Sequence, residues 1–205
     1  MDKLTIQDKL KYESEYLAKG YKYIAGVDEV GRGPLAGPVV CAAVIMPLDK
    51  LIEGIDDSKK VSEKKRNKLS DLIKENAICY NIAEVSPEVI DEINILEATK
   101  LCMKNALEGL KIKPDVALVD ALTLDTDIPI VNIIKGDYLS YNIGAASIIA
   151  KVYRDNLMVE LANKYPLYSF EKHKGYGTAV HIQAIKEHGP CEIHRKSFIK
   201  KFVWG

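Results

Sequence analysis

Two adjacent carboxylates, Asp28 and Glu29, close the apolar run Ile24-Ala25-Gly26-Val27 and lead directly into Val30-Gly31-Arg32-Gly33-Pro34-Leu35-Ala36-Gly37-Pro38. A carboxylate pair at the end of a buried strand is costly unless something cationic sits there. The Gly/Arg/Pro turn beyond it lets backbone approach a phosphate or sugar closely. Together they point to a metal site beside a nucleic-acid strand. The turn is neither of the familiar phosphate cradles: Gly31, Gly33 and Gly37 do not fit G-x-G-x-x-G, and no G-x-x-x-x-G-K-[ST] occurs. Pro34 and Pro38 would also stop a helix from starting there, as both cradles require. With no G-x-S-x-G and no H-E-x-x-H, serine-hydrolase and zincin readings fall away as well.

Aspartates recur at the ends of strand-like runs. Residues 22–28 and the β-branched run 37–46 read as strands, and 77–85 as a third. Asp120 ends the apolar segment Val116-Ala117-Leu118-Val119, and Asp137 lies three residues past a last strand at 129–134. Helices are predicted at 5–19, at 62–76 behind a Ser62 cap, from Ser86-Pro87-Glu88 until Lys113-Pro114 ends the period, and at 141–164. The last of these begins with the small apolar stretch Ile143-Gly144-Ala145-Ala146-Ser147-Ile148-Ile149-Ala150, suited to lie on a sheet. The expected organisation is one α/β core over residues 1–165, the 5–19 helix included, and a small helical C-terminal part over 166–205 that packs on the core and contacts substrate.

In an open α/β sheet, groups at strand ends converge on one crevice, so Asp28, Glu29, Asp120 and Asp137 are expected to meet. Such a cluster repels itself unless divalent ions neutralise it. Oxygen-only ligands favour Mg²⁺ or Mn²⁺ over zinc, and the irregularly spaced His173, His181, His188 and His194 give no zinc pattern. Two such ions about 4 Å apart would activate water and stabilise a leaving oxygen, which is in-line phosphodiester hydrolysis. Asp115, Asp125 and Asp127 read as turn formers and stay outside the site.

Net charge is zero, which argues against a protein that coats nucleic acid nonspecifically. Residues 58–68 nevertheless hold six basic side chains against one acidic, and 151–205 hold ten against five. Basic flanks around an acidic centre suit a metal-dependent phosphodiesterase. The N-terminus has no apolar signal-peptide region, and no stretch approaches the roughly 20 apolar residues of a membrane span. Four cysteines without C-x-x-C spacing read as free thiols, so a cytoplasmic location is expected.

The segment from Ala25 to Val40 closely resembles the N-terminal signature of bacterial ribonuclease HII, the type 2 ribonuclease H. Later motifs of that family follow in order: Asp57-Ser58-Lys59-Lys60, Val119-Asp120-Ala121, Lys135-Gly136-Asp137, the string Ala145 to Asp155, His173-Lys174-Gly175-Tyr176-Gly177-Thr178, and His194-Arg195-Lys196-Ser197-Phe198. The resemblance spans residues 22–198. It implies a ribonuclease H-like mixed sheet flanked by helices, and an endonuclease for the RNA strand of RNA/DNA hybrids and for single ribonucleotides in duplex DNA, leaving 3′-hydroxyl and 5′-phosphate ends. It implies Asp28, Glu29, Asp120 and Asp137 as ligands of two Mn²⁺ or Mg²⁺ ions. Gly31-Arg32-Gly33 would read the ribose 2′-hydroxyl, Tyr176 would stack on the sugar at the RNA-DNA junction, and Ser58, Lys59, Lys60, Lys151 and Arg154 would hold phosphates, the last two from one helix face. A monomer is expected. The chain departs from the family in Tyr138, where a small residue usually follows the aspartate, and in the unusual helix start Tyr141-Asn142-Ile143-Gly144. With about 20 residues before the first strand and Arg32 in the turn, it looks like type 2 rather than type 3.

Overall fold

The strand carrying the acidic pair, β1 (Ile24–Val30), lies at the centre of a five-stranded mixed sheet. It pairs antiparallel with β2 (Val39–Ile45), which pairs antiparallel with β3 (Cys79–Val85). On its other side it runs parallel to β4 (Val116–Asp120), itself parallel to β5 (Ile130–Ile133). The fold, taken from a computed structural model, is described for residues 4–56, 58 and 61–203. The first strand outruns its expected end because the register continues through Glu29↔Cys41 and Val30↔Val40.

Both faces of the sheet are covered, which is why β2 is apolar throughout. On one face, Val27, Cys41, Ala43 and Val119 pack against Ile90, Ala98, Cys102 and Met103 of α3 (Pro87–Glu108). On the other, Val40, Ala42 and Val44 meet Ala145, Ile148 and Ile149 of α5 (Tyr141–Lys164), and α2 (Glu63–Asn76) adds Leu69 and Ile73. Gly26 sets how closely α5 approaches. A Cβ there would lie 2.1 Å from the Asn142 carbonyl carbon and 2.3 Å from the Ile143 nitrogen, so only glycine fits.

The unusual start of α5 has a tertiary explanation. Buried Glu13, on α1 (Lys11–Ala18), accepts from the Ser140 hydroxyl at 2.6 Å and from the Asn142 amide at 3.0 Å. Asn142 in turn donates 2.7 Å to the Ile24 carbonyl of β1. Burial holds the Glu13 carboxyl above its usual range despite these bonds. The N-terminal helix is shorter than the expected 5–19, because Thr5 and Asp8 exchange side-chain bonds and a 3₁₀ turn at Asp8–Leu10 precedes α1.

Helix α3 breaks at Asn94 (φ 66°, ψ 165°), whose side-chain oxygen accepts from the amides of Leu96 and Glu97. Asn94 therefore caps a second helical segment. The C-terminal part holds α6 (Phe170–His173), α7 (Ala179–His188) and α8 (Lys196–Val203). Its apolar side chains Phe170, Ile185 and Ile199 share a cluster with Leu35 and Ala36 of the glycine turn and Met158 of α5.

Candidate metal centre and strand-binding cleft

Alternation along β1 sends Asp28 to the α5 face with Gly26, and Glu29 to the α3 face beside Cys41. Near the strand end both still reach one cleft of about 530 Å³. Asp120 closes β4 on the same side, as the parallel register Val27↔Val119 requires. Asp137 sits in a one-turn helix, α4 (Gly136–Leu139), entered through left-handed Lys135. The Gly136 amide donates 2.7 Å to Asp120 Oδ1, which pins this turn beside β4.

One ligand oxygen each from Asp28, Glu29 and Asp120 lies within 4.8 Å of the others, and Asp137 lines the same cleft. Asp28 is 5% exposed. Burial pushes its carboxyl well above the ordinary range, and the negative charges of Glu29, Asp120 and Asp137 push it the same way. A second observation shows that a cation fits: among the described residues, Glu29 Oε2 is buried and meets no hydrogen-bond donor, while Oε1 has only a long contact, 3.4 Å, with Arg32. All-oxygen donors of this kind suit a hard divalent ion.

The cleft is also lined by Gly31, Arg32, Gly33, Ser58, Ser147, Lys151 and Tyr176. A Cβ on Gly33 would stand 3.8 Å from the Tyr176 ring, so turn and tyrosine are neighbours across 143 positions of sequence. The ring is 40% exposed. Ser58 is buried, with its hydroxyl 2.9 Å from that of Ser147 and its carbonyl accepting from Arg66. Lys151 pairs with Asp155 at 2.7 Å at the edge of the cleft. Lys59 and Lys60 lie outside the described residues.

Arg154 requires a correction. It is expected to hold phosphate beside Lys151, yet it is fully buried and donates to the carbonyls of Ala36, Pro38 and Lys174. The helical spacing is as expected, but the glycine turn and residue 174 cover that side of α5. Two residues of the site carried no expected role. Ser147 lines the cleft with Asp28 and its hydroxyl lies 2.9 Å from that of Ser58; its signal was a lone hydroxyl in the apolar run 143–150. Arg195 reaches the carbonyls of Gly31, Arg32 and Gly37 from the far end of the chain.

A mixed five-stranded sheet with helices on both faces and acidic strand ends opening on one cleft has the architecture of the ribonuclease H-like class. The sequence matches the Ribonuclease HII family over residues 25–201. It is 54% identical to a ribonuclease HII of Caldicellulosiruptor bescii, covering 96% of each chain. It is 57% identical to one of Bacillus mycoides, over 92% of this chain and 73% of the other. In structure it is similar to ribonuclease H2 of Pyrococcus horikoshii OT3, with TM-score 0.72 and 31% identity over 88% of this chain and 97% of that one. The chain belongs to the ribonuclease HII family and is a metal-dependent endoribonuclease. Membership supports ribonuclease H activity on RNA/DNA hybrids. Among the described residues, no helix is long and apolar enough to cross a membrane.

Proposed function

We propose that this protein cuts the RNA strand of RNA/DNA hybrids and nicks duplex DNA on the 5′ side of single embedded ribonucleotides, leaving 3′-hydroxyl and 5′-phosphate ends. The convergence of Asp28, Glu29 and Asp120 within 4.8 Å, beside the Gly31-Arg32-Gly33 turn, carries this reading. Asp28, Glu29, Asp120 and Asp137 would hold two Mg²⁺ or Mn²⁺ ions. Such ions, when bound, would supply a water nucleophile at neutral pH and stabilise the leaving oxygen. The chain's own part is positional. The Gly136 amide fixes Asp120, Ser147 and Ser58 line the cleft beside Asp28, and Lys151, Ser58 and the 59–60 lysines would meet the phosphates. The turn would read the 2′-hydroxyl, which alone separates ribose from deoxyribose locally, and Tyr176 would stack on the sugar at the junction. We assign the protein a monomeric, cytoplasmic role in removing ribonucleotides and RNA primers from DNA, with residues 166–205 as the substrate-contacting extension of a 1–165 core.

The test offers a DNA duplex with one embedded ribonucleotide, with and without Mg²⁺ or Mn²⁺, to wild type and Asp28→Asn. Metal-dependent nicking 5′ to the ribonucleotide is expected, and a loss of at least about 10³-fold in rate in the variant. Equal cutting of duplexes with and without the ribonucleotide would show a nuclease without ribose selectivity and overturn the assignment.

A further inference from the structure

Two guanidiniums, fully buried by side-chain exposure, lie behind the glycine turn. Arg195 donates through Nε to Gly37 O at 3.0 Å, through Nη1 to Arg32 O at 2.9 Å, and through Nη2 to Gly31 O and Gly37 O. Arg154 donates to Pro38 O at 3.0 Å, Ala36 O at 3.1 Å and Lys174 O at 2.9 Å. Five carbonyls of residues 31–38 are thereby drawn into the protein. Neither arginine meets a carboxylate within 4 Å among the described residues. Backbone bonds complete the clamp: Leu35 donates to Gly175 O, Gly37 to Ile193 O, and Arg195 to Leu35 O, each at 2.8 Å. Gly31 sits at φ +92°, and a Cβ there would lie 2.3 Å from Arg154 Nε, so turn and guanidinium are fitted to each other.

We propose that Arg195 and Arg154 are positioning residues for ribonucleotide recognition, holding the 31–38 turn and the Tyr176 segment as one rigid reading unit. The inference rests on the reading of that turn as the ribose sensor. Three physical consequences support it. The Gly31 and Arg32 carbonyls, tied inward, cannot face an anionic strand, which leaves the amides of residues 31–33 to meet it, those of Leu35 and Gly37 being bonded within the protein. Two cations without a carboxylate partner within 4 Å among the described residues place positive charge under the turn. Burial lowers their pKa values to about 10 and about 9, so both stay charged at neutral pH. Finally, Arg154 bonds both Ala36 and Lys174, linking the turn to the loop that carries Tyr176. A lysine cannot reproduce this, because one ammonium cannot span carbonyls that a planar fork reaches together.

The experiment measures affinity in Mn²⁺ for a duplex with one ribonucleotide and for the same duplex in all-DNA form, using Asp28→Asn to prevent cutting. The ratio is then compared in Asp28→Asn/Arg195→Lys and Asp28→Asn/Arg154→Lys. We expect the ratio to fall about tenfold in each, the loss of about 1.4 kcal/mol of discrimination. With Asp28 intact, each lysine variant should raise KM for the ribonucleotide duplex while kcat and Mn²⁺ affinity change little. A brace that serves stability alone would lower the melting temperature and leave the ratio untouched, so folded variants with the parental ratio overturn the proposal. If the Asp28→Asn parent does not discriminate, the ribose-sensor reading itself fails and takes this one with it. Should neither lysine variant fold by circular dichroism, amide exchange in the wild type decides. Equal protection of Leu35, Gly37 and residues 193–199 supports one unit, and separate opening of the turn refutes it.

Discussion

Asp28 is a residue whose place in the cleft costs the fold, and its proposed role as a metal ligand would account for that cost. Its carboxyl is buried beside three others, and its pKa stands well above the ordinary 3.8. The stabilisation linked to such a raised pKa is complete below the unfolded value and lost as pH rises through the folded one. At pH 7 without metal, Asp28 therefore destabilises the protein, either ionised among like charges or holding its proton against the solvent. Asp28→Asn keeps the bond from the Glu29 amide and removes the charge. It should raise the metal-free stability at pH 7 by about 2 kcal/mol while removing activity. Paired thermal melts with and without Mn²⁺ check this: metal should stabilise wild type far more than the variant, and an unchanged metal-free melting temperature would refute it. That the pair would meet Asp120 was legible at the residue scale, since acidic groups ending apolar runs need an unusual reason. The fate of Arg154 was not. Spacing on a helix shows which side chains are neighbours, but not which of them a later segment will cover.

At the scale of elements, the sequence patterns placed all five strands and the helices α1, α2, α3 and α5 but not α4, α6, α7 or α8, and α5 and β4 end where periodicity and charge say they should. What escaped is where one element caps another. Glu13 caps α5 from a helix about 130 positions away, and Asp91 of α3 accepts from the Lys196 and Ser197 amides at the start of α8. The Asn94 break had a local signal in Asn94-Ile95-Leu96-Glu97, a capping pattern that the continuous apolar period concealed. Gly26 is the sharpest case of an element boundary set by one atom. Gly26→Ala would drive a methyl into the Asn142 backbone at 2.1 Å, and a helix anchored by Glu13 and Ile24 cannot withdraw cheaply. The expected cost is about 3 kcal/mol by denaturant titration, with reduced metal affinity because α5 also carries Ser147. A variant as stable as wild type would mean that α5 can slide over the sheet.

At the scale of the whole molecule, the C-terminal part and the acid cleft respond to pH in opposite directions. His181 Nε2 and His194 Nε2 lie 3.1 Å apart, a bond that needs one proton between two neutral rings. His173 stacks on His181 with ring centroids 4.5 Å apart, Cys191 Sγ is 3.1 Å from His194 Nδ1, and the charged Arg195 follows directly in the chain. Burial lowers both His181 and His194 to about 4, against an ordinary 6.5. A depressed histidine pKa contributes stability that is complete above the unfolded value and drains away as pH falls from about 6.5 toward 4. As pH falls, the metal-free Asp28 carboxyl, held well above its ordinary range, gains its proton and the repulsion around it is relieved. The two parts share the core around Leu35, Ala36 and Met158, so they should melt in one transition at pH 7 and part company in acid. Amide exchange near pH 5 should then show residues 179–199 opening before β1 and β4, and His181→Phe should narrow that gap by removing one titrating ring. The same acidification should loosen the 31–38 turn, because Ala36 bridges His194 and Arg195 grips Gly31. Ribose discrimination should fall with pH before metal affinity does. Uniform protection across the chain at pH 5 would show that the imidazole pair does not govern the C-terminal part.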